Sequence, residues 1–281
     1  MSIVVSWDMN GVVFAVLSSI FWGFNGILLR KGFESSNVIS GTFTVVSVTY
    51  TLLFLLALPK ISYVVFDPLK ISMLAVAGVV SYAVGRMFTY SSVASIGSSR
   101  AFSGTSTRIL FSAILGVVFL GEEIELRVAL GTALIVLGLY TFSTEGISLR
   151  GLIFSVVGGL SYGIAALFIK MGMLGDPVIS TFIAASFGFA ALFALTYAMK
   201  GIRFERNLYL IISGISLAIG NLCYYIALST APIVIVVPLS NLYPLVTTFL
   251  SFLLIKRLEM VRLRTFIGSA LTVFGSIAIA S

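Results

Sequence analysis

The sequence predicts an all-α membrane protein of ten transmembrane helices, arranged as two inverted five-helix repeats. Three observations carry that expectation. Hydrophobic residues fill 59% of the 281 positions and charged residues only 10%, giving a mean hydropathy of +1.15, beyond what the interior of a soluble domain can hide. Apolar runs of about 20 residues, the length that crosses a hydrocarbon core, recur ten times between short charged or Gly/Pro-containing joints. The chain also aligns with itself at an offset of 140 residues.

In order, the spans fall at Gly11–Leu29, Ile39–Leu58, Ile71–Val93, Ser99–Leu120, Val128–Phe142, Leu152–Lys170, Val178–Met199, Leu208–Ala227, Ile233–Ile255 and Thr265–Ile279. The first run has no basic residue before it and ends in Arg30-Lys31, so a cleaved signal peptide is not expected. Lys60, Lys70, Arg127 and Lys170 lie in the joints after the even spans up to the eighth, whereas ten Lys or Arg residues occupy the opposite joints. That bias puts the second set in the cytoplasm and both termini outside, in a multi-pass protein expected at the plasma membrane. The net charge of +7 is spread through these joints, which argues against nucleic acid as a partner. The single cysteine, Cys223, and the absence of histidine offer no disulfide, no thiolate cluster and no imidazole relay. No cofactor or metal is expected.

The self-alignment pairs GVVFAVLSSIFWGFNGILLRKG, from Gly11, with GLIFSVVGGLSYGIAALFIKMG, from Gly151. Eight of the thirty positions from 11 to 40 are identical, against the two or three that similar composition would give. Trp22 meets Tyr162 and Arg30 meets Lys170; later the register drifts, so that Tyr90 meets Tyr225, Glu122 meets Glu259 and Gly131 meets Gly268. The halves are therefore residues 1–145 and 146–281, each with five spans. An odd number of spans turns the second copy upside down, and two pseudo-equivalent halves provide two packings of similar energy, one open to each side. On these repeats, on SSIFWGFNGILLRKG in span 1 and on LGEEI closing span 4, the chain resembles the drug/metabolite transporters, specifically the EamA-like ten-helix exporters. The resemblance implies alternating-access transport of a small metabolite and leaves the cargo open.

Two charges stand inside the spans. Arg86 and Arg108 lie in consecutive spans at similar depth, on the order of 10 Å from one face at 1.5 Å per residue. An arginine there costs about 2.5–3.5 kcal/mol even on the lenient insertion scale, so both are expected to face the bundle interior. All ten Asp and Glu residues map outside the span cores. The guanidinium groups are then left to water, to carbonyls, to the hydroxyls of Ser103, Thr105, Ser106 and Thr107, or to a bound carboxylate or phosphate, whose oxygens they match bidentately. The stretch GSSRAFSGTSTRIL, Gly97 to Leu110, is accordingly expected to line an aqueous vestibule, with Arg100 steering anions from its mouth.

In span 9, Pro238 and Pro244 bracket Ser240, Asn241 and Tyr243. Each proline deletes a helix hydrogen bond and frees a carbonyl at mid-membrane, which is tolerated beside a cavity. The substrate-binding candidates are Arg108, Arg86, Asn241, Tyr243, Tyr225, Tyr90, Asn221 and Trp22. Packing, interhelical hydrogen bonding or snorkelling accounts equally for several of them. The function expected is secondary transport of a small polar, anionic metabolite, by a chain for which a monomer suffices and a dimer is compatible. Alternatives are an amino-acid or drug exporter with neutral or zwitterionic cargo and a lipid-linked sugar flippase. A membrane-embedded enzyme would need a nucleophile, acid/base pair or metal that the span cores do not supply, so no enzyme is expected.

Overall fold

The computed structural model describes residues 9–63, 66–111, 115, 126–143, 148–199, 202–231, 233–255, 258 and 262–280. They form helices α1 (Met9–Gly32), α2 (Val38–Ala57), α3 (Pro68–Gly78), α4 (Arg86–Ile96), α5 (Ser98–Thr105), α6 (Leu126–Ser143), α7 (Leu149–Gly172), α8 (Pro177–Ala198), α9 (Leu208–Thr230), α10 (Ile233–Ser240), α11 (Tyr243–Leu254) and α12 (Leu263–Ala280). Among the described residues, six helical stretches are long and apolar enough to cross a membrane: 10–32, 38–62, 68–96, 149–172, 177–198 and 208–230. Among the described residues there is no strand. Glu122, Glu259 and the boundary between residues 145 and 146 lie outside the described residues.

The starts of the long helices are written locally. Asn37, Asp67, Ser148, Asp176 and Asn207 each stand before a helix in extended backbone and accept from an N–H of its first turn, with Pro68 and Pro177 beginning the helices that follow. α3 and α4 are joined by a π-helical stretch, Val79–Gly85, so that the third span is one element with an extra residue wound into its middle. α4 ends and α5 begins at Gly97, whose φ of 88° only glycine adopts without strain; this makes the joint a single residue.

Two expected spans are not continuous. In the ninth, α10 stops at Ser240, residues 241 and 242 turn, and α11 starts at Tyr243, where Pro244 brings no N–H for the carbonyl one turn back. In the fourth, α5 stops at Thr105 and residues 106 and 107 turn, although no proline is present. Hydroxyls compete for the backbone instead: Thr105 and Ser106 both donate to the Phe102 carbonyl and Thr107 donates to that of Gly104.

Packing brings distant segments together through small residues, as expected where lipid removes the hydrophobic drive between helices and close van der Waals contact must hold them. α1 lies against α9, with Gly11 beside Ala231 and Gly32 beside Leu210, so the two run antiparallel. α7 lies against α3 and α4, with Gly151 beside Ile96 and Gly172 beside Leu74. Between α3 and α8 the approach is backbone to backbone: a Cβ on Gly78 would overlap the Ala184 carbonyl, and one on Gly188 would come 2.6 Å from the Gly78 oxygen. A Cβ on Gly214 in α9 would come 2.7 Å from the carbonyl oxygen of Val45 and from Val48 in α2. α6 and α12 cross antiparallel, where a Cβ on Gly138 would sit 2.7 Å from the Gly268 oxygen and one on Gly275 2.5 Å from that of Gly131. Outward faces carry Val13, Leu137, Phe193 and Phe274, exposed as lipid contacts require.

At the rim, Lys60 Nζ is 2.6 Å from Asp176 Oδ2. Partial burial pushes the Asp176 carboxyl up, but hydrogen bonds from Lys60 and from the N–H groups of Val178 and Ile179 outweigh it and hold the group below the usual carboxylate range. A lowered folded-state pKa stabilises above the unfolded value of about 3.9 and ceases to do so as pH falls through the folded value. With side chains 43% and 36% exposed, the pair contributes about 0.5 kcal/mol. Asp176→Asn, which keeps a capping side chain, is expected to leave the melting temperature at pH 7 within about a degree or two and to flatten its fall below pH 4.

Candidate functional site

Where α1, the π-helical stretch, α4, α5, α7, α9 and α11 meet, they enclose a cavity of about 70 Å³, room for on the order of five waters. Aromatic rings dominate its wall, together with two guanidinium groups and, among the described residues, no carboxylate.

Arg86 occupies its centre. Its Nη1 donates to the Tyr162 hydroxyl at 3.2 Å and its Nη2 to Asn221 Oδ1 at 3.4 Å. Asn221 Oδ1 also accepts from Trp22 Nε1 at 3.0 Å, and Asn221 Nδ2 donates to the Tyr82 hydroxyl at 2.7 Å. The guanidinium carbon stands 5.0 Å from the ring centroid of Tyr162 and 5.8 Å from that of Tyr82, within cation–π range. Arg86 Nε is buried and finds no hydrogen-bond partner.

Arg108 stands directly after the turn that follows α5 and is held by the break at residues 241 and 242. Its Nε donates to Asn241 Oδ1 at 3.1 Å and its Nη2 to Ser240 Oγ at 2.9 Å. Asn241 in turn donates to Ser276 Oγ of α12 at 3.0 Å. Trp22, Tyr243 and Tyr224 present their rings to the guanidinium at 5.2, 5.4 and 5.8 Å. Only 8% of the residue is exposed. The two interrupted helices thus meet through Arg108, each break supplying groups that a continuous helix would direct elsewhere.

Of the residues singled out from the sequence, the structure gathers Trp22, Arg86, Arg108, Asn221, Tyr225 and Tyr243 around the cavity. Asn241 and Tyr90 are outside its lining. Asn241 reaches the cavity through Arg108 alone, and Tyr90 is buried one turn beyond Arg86 in an apolar cluster with Leu29, Val93 and Phe102. The Gly97–Leu110 stretch differs from the expected vestibule. Phe102, Thr105 and Arg108 face the cavity, while Ser98 bonds to Ser251, Ser103 to Ser269 and Ser106 to its own helix, all fully buried. Those hydroxyls serve helix contact. On another side of α5, Gly104 is pressed against Ser155 of α7. Arg100 lies against the Ile96 carbonyl at 3.4 Å.

Tyr82 and Thr89 also line the cavity and carry no sequence signal of their own. They flank Arg86 by four and three residues, and that periodicity about a buried charge is the one clue available. Gly158 and Gly159 of α7 receive Thr89 and Thr107.

The two ends of the bundle are closed differently. At the end of α1, Arg30 donates to the Ala94 carbonyl of α4 at 3.1 Å and to the Leu258 carbonyl after α11 at 3.3 Å, tying three helix ends together. At the end of α7, exposed Lys170 reaches the Leu228 carbonyl of α9 at 3.5 Å. The cavity extends from Thr89 and Phe102 towards that second end, as far as Ile169.

Comparison with known proteins was informative on class. A model of the EamA-like transporter family matches residues 9–144 and again 149–281. A protein of Archaeoglobus fulgidus described as an uncharacterized transporter is 26% identical over 163 residues, covering 57% of this chain and 58% of that protein, so the match spans little more than half of the relative. A solved structure described only as a crystal structure of a protein superposes with a TM-score of 0.66 over 96% of both chains at 15% identity, a likeness of fold.

Proposed function

From the premise that this chain belongs to the EamA-like transporter family, and is with it a multi-pass integral membrane protein, we propose that it is a secondary carrier moving a small anionic metabolite by alternating access. Family and relative both point to a transporter rather than an enzyme. The observation that carries the anion is Arg86: a guanidinium in the cavity wall with, among the described residues, a buried donor left over and no carboxylate beside it.

Inverted repeats are supported by the reciprocity of the contacts. Gly11–Ala231 is matched by Gly151–Ile96, Gly32–Leu210 by Gly172–Leu74, Gly78–Gly188 by Gly214–Val48, and Gly131–Gly275 by Gly268–Gly138; each becomes its partner when one residue number rises and the other falls by 135 to 140. Such exchange is what a two-fold axis between halves 1–145 and 146–281 produces, with ten spans in all. Arg86 and Asn221, 135 residues apart, are equivalent under the same operation and touch at the centre. The axis passes through the site. Arg30 and Lys170 are equivalent as well, and their unequal grip fits a carrier resting closed at the Arg30 end.

The sequence holds no histidine and, among the described residues, the cavity wall holds no carboxylate to relay a proton, so exchange or facilitated diffusion is the coupling. In proteoliposomes loaded with a mixture of small anions, uptake of a labelled anion is expected to persist when a protonophore collapses the proton gradient. Uptake that vanishes with the gradient contradicts the coupling, and single-channel currents far above carrier turnover contradict the carrier.

A further inference from the structure

Resting on the carrier reading, the side chains around Arg86 define the cargo more narrowly. Arg86 and Thr89 stand on one face of α4, three residues apart. Both line the cavity. Arg86 Nε and Thr89 Oγ1 are each buried without a hydrogen-bond partner, and Thr89 is 1% exposed. The threonine is conspicuous because the hydroxyls of Thr42, Thr49 and Thr196 donate to the carbonyl four residues back, as helical threonines usually do. Thr89 leaves that bond unmade. Gly158 makes the room, since any side chain there would strike Thr89 Oγ1.

A buried polar atom with no partner costs free energy, so two on one cavity wall call for an occupant that satisfies both. Several other polar groups of the wall are engaged, Asn221 with Trp22, Arg86 and Tyr82, Thr105 with Tyr243, and Asn25 with Ser213, while the hydroxyls of Tyr224 and Tyr225 make no hydrogen bond to the described residues. We infer that Arg86 Nε and Thr89 Oγ1 form a cradle for the two oxygens of one carboxylate, and that the cargo is a small monocarboxylate with an apolar body. One cationic donor beside one neutral hydroxyl matches a single negative charge spread over two oxygens better than the three oxygens and double charge of a phosphate ester. The apolar body lies away from the cradle, against Ala165, Ala166 and Ile169. A space of about 70 Å³ holds on the order of five water-sized groups, which suits a small cargo.

The test is ligand-dependent thermal stabilisation of the purified full-length protein with isovalerate and benzoate, the neutral isovaleramide and benzamide, succinate, inorganic phosphate and glucose 6-phosphate. The two monocarboxylates are expected to raise the melting temperature and their amides to leave it unchanged. Thr89→Val removes the unpaired hydroxyl at equal volume, so the unliganded protein is expected to melt no lower than the parent. Its half-saturating concentration of isovalerate is expected to rise about tenfold, the worth of a hydrogen bond to a charged group. Half-saturation of Thr89→Val equal to that of the parent overturns the cradle. Stronger protection by phosphate, succinate or glucose 6-phosphate overturns the monocarboxylate and leaves an anion carrier. Protection by the amides equal to that by the acids, with flux of both in proteoliposomes, overturns the anion and leaves the carrier.

Discussion

Arg86→Gln is expected to lower anion exchange by about a hundredfold or more while the protein still folds. Removing one member of a buried charge-assisted pair costs about 2–5 kcal/mol, and each 1.4 kcal/mol is a factor of about ten. Glutamine keeps an amide that can reach Asn221, and it removes a buried charge whose desolvation offsets the bonds it makes to Tyr162 and Asn221 in the empty protein. The unliganded melting temperature is therefore expected to hold or rise as exchange collapses. Exchange within threefold of the parent would return Arg86 to a structural role.

The largest loss of stability is expected from Gly78→Val. Its Cβ would overlap the Ala184 carbonyl oxygen, and a backbone atom cannot rotate aside. α3 and α8 would have to separate, giving up the close contact that holds helices in lipid. Overpacking in a tight core costs about 1–3 kcal/mol and more where backbone must move, so about 3 kcal/mol or more is expected. Gly175→Ala is the control, because nothing lies within 4 Å of a Cβ there; its effect is expected within about 0.5 kcal/mol. Equal melting temperatures for the two variants in the same detergent would mean that the α3–α8 approach is not tight.

The long helices were legible because lipid imposes one rule on every span, and the capping residues and the Pro238/Pro244 interruption follow from equally local chemistry. The break after Thr105 was not legible, since no proline marks it and the Gly104 carbonyl is instead taken by the N–H and the hydroxyl of Thr107. The serines of the same stretch misled for a related reason. A hydroxyl in a span reads as wet until its partner is known, and the partners Ser251 and Ser269 come from the other half. Arg108 stood out as a charge, but nothing near it in the sequence pointed to Asn241, 133 residues on. Thr89 was invisible because only its unmade bond distinguishes it.

The partnership of α1 with α9 also governs how the chain is made. Trp22 and Asn25 find Asn221 and Ser213 on a helix that ends 198 residues after α1 does. At a synthesis rate of about 5–20 residues per second, α1 waits in the bilayer on the order of ten to forty seconds before those acceptors exist. α7 has no such delay, because α3 and α4 precede it. α1 is thus made early and stitched into place late.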